Sequence, residues 1–272
     1  MGDRPGTPAA RVDCHAHVFH RGMPYAEGAH SRPDYDYRAE QWLADMAAGG
    51  ITHGVIAAAS LYGAWNDYTL SVLAAHRNLR ATVIVPPETP AARLRELAEA
   101  GVVGVRLVWR RLEAFPDLGA EPWRGFLARL AEAGLHVELL AKAPALPPLL
   151  AAFGAAGVAV VIDHFGAPGD DAGQAMREID GVLSAMAIHP CWIKLSAGFR
   201  LPPAVAETVA VRLLAEAGTD RLLWGSDAPF VNHEGSLDYA GALALYQRLV
   251  PDAGQRVAID QTAMALFFQE RN

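Results

Sequence analysis

The feature that most constrains the fold is a pattern that repeats eight times along the chain. A short apolar run is followed by an Ala- and Leu-rich segment in which the apolar residues have helical spacing. The apolar runs are nearly continuous, which is typical of parallel strands covered on both faces. They predict strands at residues 11–17, 54–59, 81–86, 102–108, 136–141, 158–163, 192–196 and 222–226. The predicted helices are residues 39–48, 66–76, 90–100, 121–133, 145–156, 174–187, 203–217 and 238–249, followed by two short helices at 253–260 and 262–269.

Strands that alternate with helices imply parallel pairing through right-handed crossovers. Eight such units predict an α/β fold, a closed (β/α)₈ TIM barrel with short extra helices at the C-terminus. The alternative is an open doubly wound sheet, which would have fewer strands and a glycine-rich phosphate loop after the first one. No such loop follows residues 11–17. Because the composition does not change along the chain, we expect a single domain over residues 1–272.

Composition and charge exclude several classes of protein. A hydrophobic content of 52% is too high for a disordered chain, and a net charge of −7 argues against nucleic acid or an acidic membrane surface as the main partner. Cys14 and Cys191 are too few for a disulfide framework. Residues 1–11 show no apolar run of a signal peptide, and no stretch approaches the roughly 18 apolar residues of a membrane span. We therefore expect a cytoplasmic protein that binds a small molecule, and the oligomeric state stays open.

One long connection, from Phe19 to Arg38, follows the first strand and has little helical periodicity. Long loops of this kind are usually functional or disordered. At the C-terminal end of a barrel strand, we expect it to form a lid over the active site.

Candidate chemical groups follow three predicted strands at the end where barrel enzymes place their active sites. His15 and His17 end the first strand on one face, about 7 Å apart, where they could chelate a divalent ion or hold an oxyanion. His164 follows the sixth strand and Asp227 follows the eighth. Each has a structural alternative: a hydrogen-bonded core histidine for His164 and a turn former for Asp227. Taken together, the four residues predict one shared site.

The segments that carry these residues, VDCHAHVF at 12–19, IDHFG at 162–166 and WGSDAP at 224–229, resemble the amidohydrolase superfamily in its amidohydrolase-2 branch. They most resemble its lactonase group, which includes 2-pyrone-4,6-dicarboxylate hydrolase. Segments GVVGVRL at 101–107 and WIKLS at 192–196 extend the resemblance over nearly the whole chain.

The resemblance implies a metal site, but the sequence departs from the usual ligand pattern. Arg106 stands where the family places a bridging lysine, and the fifth strand ends in Leu139-Leu140-Ala141 without a histidine. The remaining ligands, His15, His17 and Asp227, predict at most one divalent ion, Zn²⁺ or Mn²⁺. Because the similar lactonases can work without a tightly held metal, we expect this ion to be weakly held and dispensable, with Arg106 and protonated His164 supplying charge in its place.

Substrate-binding candidates surround the same strand ends. Arg106 lies inside an apolar strand, where it either clamps a substrate carboxylate or forms a buried ion pair with a helix carboxylate. The resemblance places a substrate-binding arginine at Arg200. The remaining candidates, chosen by position after strands two and four, are Ser60, Tyr62 and Arg110. Leu140 and Ala167 replace residues that the pyrone hydrolases use on their substrate, which implies a less anionic or differently shaped lactone.

The sequence thus predicts an ester hydrolase that opens a carboxylate-bearing lactone. Asp227 would activate water, while His164, His15 and His17 would stabilise the oxyanion. A metal-dependent non-oxidative decarboxylase of the same superfamily and a barrel that binds a carboxylate without turnover are the alternatives.

Overall fold

The computed structural model describes residues 10–269; residues 1–9, on which most of the signal-peptide prediction rests, and residues 270–272 lie outside this range. The strands are β1 Val12–Ala16, β2 His53–Ile56, β3 Leu79–Val83, β4 Val102–Val108, β5 His136–Leu140, β6 Val160–Ile162, β7 Cys191–Ser196 and β8 Leu222–Gly225. The helices are α1 Ala39–Ala48, α2 Asp67–Ala75, α3 Ala91–Glu99, α4 Trp123–Glu132, α5 Leu146–Ala155, α6 Ala172–Met186, α7 Pro203–Glu216, α8 Tyr239–Leu249 and α9 Ala253–Phe267.

The eight strands form one parallel sheet in the order of the sequence. The sheet closes between β8 and β1, where the Asp227 amide donates to the His15 carbonyl at 2.7 Å and the His17 amide donates to the Ala228 carbonyl at 2.8 Å. The predicted (β/α)₈ barrel is therefore confirmed. Its seam lies beside three of the predicted site residues, so closing the barrel also assembles part of the site.

Some predicted boundaries were wrong. β2 ends at Ile56, three residues early, because the next amides bond outside the β2–β3 ladder: Ala57 to the Ala16 carbonyl and Ala58 to the Thr82 hydroxyl. The two short C-terminal helices are one helix, α9. Asp252 caps its first turn by accepting from the Gln255 amide, and no proline or glycine interrupts it beyond that turn.

The interior of the lower barrel is mainly apolar. Val12, Cys14, Val55, Val103, Val161 and Leu223 pack there against Ala263 and Phe267 of α9. A larger apolar layer fills the space between the barrel and its surrounding helices. His136 at the start of β5 is a buried polar side chain in the lower barrel, with its ring 5.6 Å from that of Phe267. Within residues 10–269, no helix is both long enough and apolar enough to cross a bilayer.

A β-bulge in β1 turns its histidines toward the barrel axis. Asp13 pairs with Gly54, but the next pair is Ala16 with Ile56, so β1 carries one extra residue. Before the bulge, the Asp13 carboxylate accepts from Trp42 of α1 and Tyr239 of α8, outside the barrel. Beyond it, His15 and His17 face inward. At the seam, a Cβ on Gly225 would lie 2.4 Å from the His15 Cβ, so β8 approaches β1 this closely only with glycine there.

Candidate active site

A cavity of about 410 Å³ opens at the C-terminal ends of the strands. Residues 27–30 of the connection after β1 form part of its wall, as expected of a lid. Tyr35 in this connection donates to Glu234 at 3.0 Å, and Ser31 donates to Asn232 at 3.0 Å. The other polar side chains of the wall are His17, Ser60, Arg106, Arg110, Arg111, His164, Arg200, Asp227 and Asn232.

The Asp227 carboxylate lies at the centre of the predicted site. Its Oδ1 is 3.5 Å from His17 Nε2, 3.6 Å from His15 Nε2 and 3.9 Å from His164 Nε2. Its Oδ2 accepts a hydrogen bond from Arg200 Nε at 2.8 Å. The structure therefore brings all four predicted catalytic residues together around one carboxylate.

Burial and charge give the two central groups of the cavity different protonation states. Burial alone would raise the pKa of Asp227, but His164, the His17 hydrogen bond and Arg200 together hold this pKa well below its ordinary value. Burial lowers the pKa of His164 to about 4, against the opposing effect of the Asp227 and Asp163 carboxylates. At neutral pH the site holds an ionised carboxylate beside a neutral imidazole. The expectation that protonated His164 supplies positive charge is therefore wrong.

The backbone at these two residues is strained. His164 has φ 53° and Asp227 has φ 61°, both in the left-handed region that residues other than glycine rarely adopt. Phe165, Ala167 and Ala197 nearby share this conformation. Strain of this kind persists only where the surrounding structure maintains it, and it concentrates at functional sites.

Below the cavity floor lies a fully buried charge network. Arg106 donates to Asp163 through Nε and Nη2 at 3.0 and 2.9 Å, and its Nε is 2.9 Å from Glu138. Lys194 Nζ donates to Glu138 at 2.6 Å and lies 3.3 Å from Asp163. Two cations thus neutralise two carboxylates, which burial requires. Because Arg106 Nη1 donates to the Ala58 carbonyl, every nitrogen of its guanidinium has a protein partner. This favours the ion-pair interpretation, with a carboxylate inside β5 and one just after β6 as partners and not the expected helix carboxylate.

Sequence reasoning missed the other members of this network. Glu138 and Lys194 interrupt apolar strands just as Arg106 does, and Arg106 pairs directly with Glu138 in the β4–β5 register. A search for single charged residues inside buried strands would have found them. Ser196 was also missed. Its Oγ lies 2.8 Å from His164 Nδ1.

The candidate substrate residues divide into two groups. Ser60, Arg110 and Arg200 line the cavity with Arg106. Tyr62 is not part of its wall. It packs beneath the lid, with its ring 5.2 Å from that of Tyr25.

Metal-binding capacity is present in two overlapping groups of the described residues: His15, His164 and Asp227, and His15, Glu138 and Asp163. In the second group, Lys194 and Arg106 already occupy the cation positions beside both carboxylates. The first group fits one divalent ion. It differs from the expected set because His164 takes the place of His17, whose Nδ1 lies 2.8 Å from the Ala57 carbonyl.

Comparison with known proteins places this site in a family. A 2-pyrone-4,6-dicarboxylate hydrolase of Comamonas testosteroni is 30% identical over 283 residues, covering 97% of this chain and 92% of that protein. A 4-sulfomuconolactone hydrolase of Hydrogenophaga intermedia is 26% identical over 85% of this chain and 77% of that protein. A crystal structure from Acinetobacter baumannii, described as a probable 2-pyrone-4,6-dicarboxylic acid hydrolase with citric acid bound, matches with a TM-score of 0.89 and 29% identity over 94% of this chain and 98% of that one.

A 2,6-dihydroxybenzoate decarboxylase shares the fold, with a TM-score of 0.68 at 14% identity over 96% of this chain and 99% of that one. At that distance the likeness shows the fold alone, so the decarboxylase alternative gains no support. The amidohydrolase family model matches residues 12–268. The chain therefore belongs to the amidohydrolase family.

Proposed function

We propose that this protein is a lactone hydrolase that opens a cyclic ester bearing at least one acidic group. One observation carries the proposal: the buried Asp227 carboxylate lies between three imidazoles and Arg200, at a cavity with further arginines in its wall. The named relatives, which act on 2-pyrone-4,6-dicarboxylate and 4-sulfomuconolactone, support the class of substrate.

Asp227 acts as the general base. It removes a proton from a water molecule as the water oxygen bonds to the lactone carbonyl carbon. When the ring C–O bond breaks, the protonated Asp227 returns that proton to the leaving oxygen. The product is the ring-opened substrate with a new carboxylic acid, which ionises at neutral pH. Asp227 is regenerated as a carboxylate. Because the pKa of Asp227 is held well below its ordinary value, its carboxylate is in the form that can accept the proton at neutral pH.

The remaining groups orient and stabilise. His164, neutral at neutral pH, donates to the developing oxyanion together with the β1 histidines. Arg200 Nε is held by Asp227 and its Nη2 by the Val231 carbonyl, whereas its Nη1 has no hydrogen-bond acceptor among residues 10–269. That nitrogen and Arg110 are placed to bind the substrate's acidic group.

A metal is an auxiliary in this proposal. His15, His164 and Asp227 are the residues that would hold one Zn²⁺ or Mn²⁺ ion. Such an ion would polarise the carbonyl in place of the His164 N–H group and would acidify bound water. We expect this ion to be weakly held and dispensable.

The test is acid release. Wild-type protein is incubated with 2-pyrone-4,6-dicarboxylate, a sulfonated muconolactone and a neutral δ-lactone in weakly buffered medium, and pH and CO₂ are followed. We expect acidification without CO₂ for at least one of the two acidic lactones. Asp227→Asn keeps the size of the side chain but cannot accept the proton, so hydrolysis should fall more than about a thousandfold. CO₂ evolution, or an Asn variant with more than about a tenth of wild-type kcat/KM, would contradict the proposal.

A further inference from the structure

Ser196 is a buried side chain that the mechanism above does not use. It ends β7, two residues after Lys194, and both face the barrel interior. Its side chain is 1% exposed, and its Oγ lies 2.8 Å from His164 Nδ1. Within residues 10–269, this imidazole nitrogen is the hydroxyl's one hydrogen-bond partner.

The direction of this hydrogen bond follows from what each group can donate. A serine hydroxyl has one proton to donate, and a buried donor without an acceptor is costly. If His164 Nδ1 carried a proton and donated it to Ser196, the hydroxyl proton would have no acceptor among the described residues. The hydroxyl therefore donates to Nδ1, and the imidazole proton is on Nε2.

His17 has the opposite arrangement. Its Nδ1 faces the Ala57 carbonyl at 2.8 Å, and a carbonyl can only accept. His17 Nδ1 therefore carries a proton, and its Nε2 faces the Asp227 carboxylate at 3.5 Å. The Nδ1 atoms of these two imidazoles thus have opposite roles: that of His164 accepts from Ser196, and that of His17 donates to the Ala57 carbonyl.

We propose that Ser196 is a positioning residue that holds His164 as the Nε2–H tautomer, so that His164 donates a hydrogen bond to the lactone carbonyl oxygen. This proposal rests on the lactone hydrolysis proposed above. An Nε2 lone pair in the same place would repel the oxyanion that forms as water adds, whereas an Nε2–H group stabilises it. Ser196 acts before the reaction, by ensuring that the donor is present.

The tautomer is measured directly. Protein labelled with ¹⁵N-histidine gives long-range ¹H–¹⁵N correlations whose pattern distinguishes Nε2–H from Nδ1–H imidazoles. His164→Gln and His17→Gln identify the two rings by loss of signal. In the wild type we expect the Nε2–H pattern for His164, with Nδ1 unprotonated, and a protonated Nδ1 for His17. An Nδ1–H pattern for His164 would overturn the proposal, and this readout needs no variant of Ser196.

Kinetics test the consequence. In Ser196→Ala, kcat for the lactone should fall by about tenfold to a hundredfold, less than the loss from removing an oxyanion donor itself, while KM changes by less than about threefold. Ser196→Thr keeps the hydroxyl and should recover most of kcat. Thr89→Val removes a buried hydroxyl that donates to the Pro86 carbonyl, and should leave both constants unchanged.

A Ser196→Ala variant that is folded by circular dichroism and retains kcat within twofold of wild type would overturn the role of Ser196. A wild-type protein that opens no lactone would instead contradict the proposed function. The tautomer spectra would still be read in that case, so the two failures are distinguishable.

Discussion

At the residue scale, the role of Arg106 is decided by neighbours that are distant along the chain. Its ion-pair partners, Glu138 and Asp163, lie on or just after the next two strands of the barrel. A guanidinium that is 4% exposed needs such partners, because a buried unpaired charge is strongly destabilising. The position lines the cavity, yet the charge is used mainly to neutralise the floor beneath it.

The variant Arg106→Met separates the two interpretations of this residue. It keeps the apolar stem but, among residues 10–269, leaves Lys194 as the one lysine or arginine paired with Glu138 and Asp163. We expect the free energy of unfolding to fall by about 3–5 kcal/mol, measured by urea denaturation. Arg110→Met, at an exposed arginine in the same cavity wall, should change it by less than about 0.5 kcal/mol. If Arg106→Met kept its stability and instead raised KM, the substrate-clamp interpretation would return.

The sequence could predict the residues at strand ends but not the network beneath them. His15, His17, His164 and Asp227 were found because each follows an apolar strand, and the barrel brings all such ends to one face. The pairing of Arg106 with Glu138 depends on strand register, and the position of Lys194 between two carboxylates depends on the diameter of the closed barrel. The local sequence pattern contains neither the strand register nor the barrel diameter.

At the element scale, the eight strands were predictable because continuous apolar runs are a strong signal, whereas their ends were not. The β1 bulge is an example. One extra residue between Asp13 and Ala16 places Asp13 outside the barrel and His15 inside, although both have the same parity in the sequence. Simple alternation would have predicted that the two side chains face the same way.

The helix that closes the barrel, α9, is joined to β1 by one carboxylate. Asp260 Oδ1 accepts from the Val12 amide at 2.9 Å. Burial raises the pKa of Asp260 from 3.8 to about 6, although the Val12 hydrogen bond and Arg11 oppose the shift. Because the folded state holds this proton more tightly than the unfolded state, its contribution to stability is present below about pH 4. It is lost as the pH rises toward 6.

The direction of this pKa shift gives a measurable expectation for Asp260→Asn. The amide oxygen of the new side chain still accepts from Val12, but the side chain does not titrate. Unfolding free energies of the variant and the wild type are compared at several pH values from 4 to 7. Relative to wild type, the free energy of unfolding of the variant should rise by about 2–3 kcal/mol from pH 4 to pH 7, since each pKa unit corresponds to about 1.4 kcal/mol. Asp34→Asn, at a carboxylate that is 97% exposed, is the control. A difference that stays constant with pH would show that burial does not shift the pKa of Asp260.

At the scale of the whole molecule, the barrel separates a mainly apolar lower half from a polar upper half. Helix α9 closes the lower end, and the lid and the loop after β8 meet over the upper one. In between, Lys194 and Arg106 balance Glu138 and Asp163, so the floor of the active site is neutral without any added ion. The positive charge beside these carboxylates comes from the side chains of Arg106 and Lys194 and needs no bound metal.

This balance limits how much metal the protein can hold. With Glu138 and Asp163 already paired, His15, His164 and Asp227 are the ligand group that residues 10–269 leave for one divalent ion. We therefore expect purified protein to contain at most one equivalent of Zn²⁺ or Mn²⁺, which dialysis against a chelator removes while substantial lactonase activity survives. Elemental analysis before and after dialysis, with activity and melting temperature measured on the same samples, checks this. Re-added Zn²⁺ should begin to raise the melting temperature only when its concentration reaches its weak Kd. Two equivalents per chain, or activity that vanishes on chelation and returns with Zn²⁺ or Mn²⁺, would instead make metal-activated hydroxide the nucleophile.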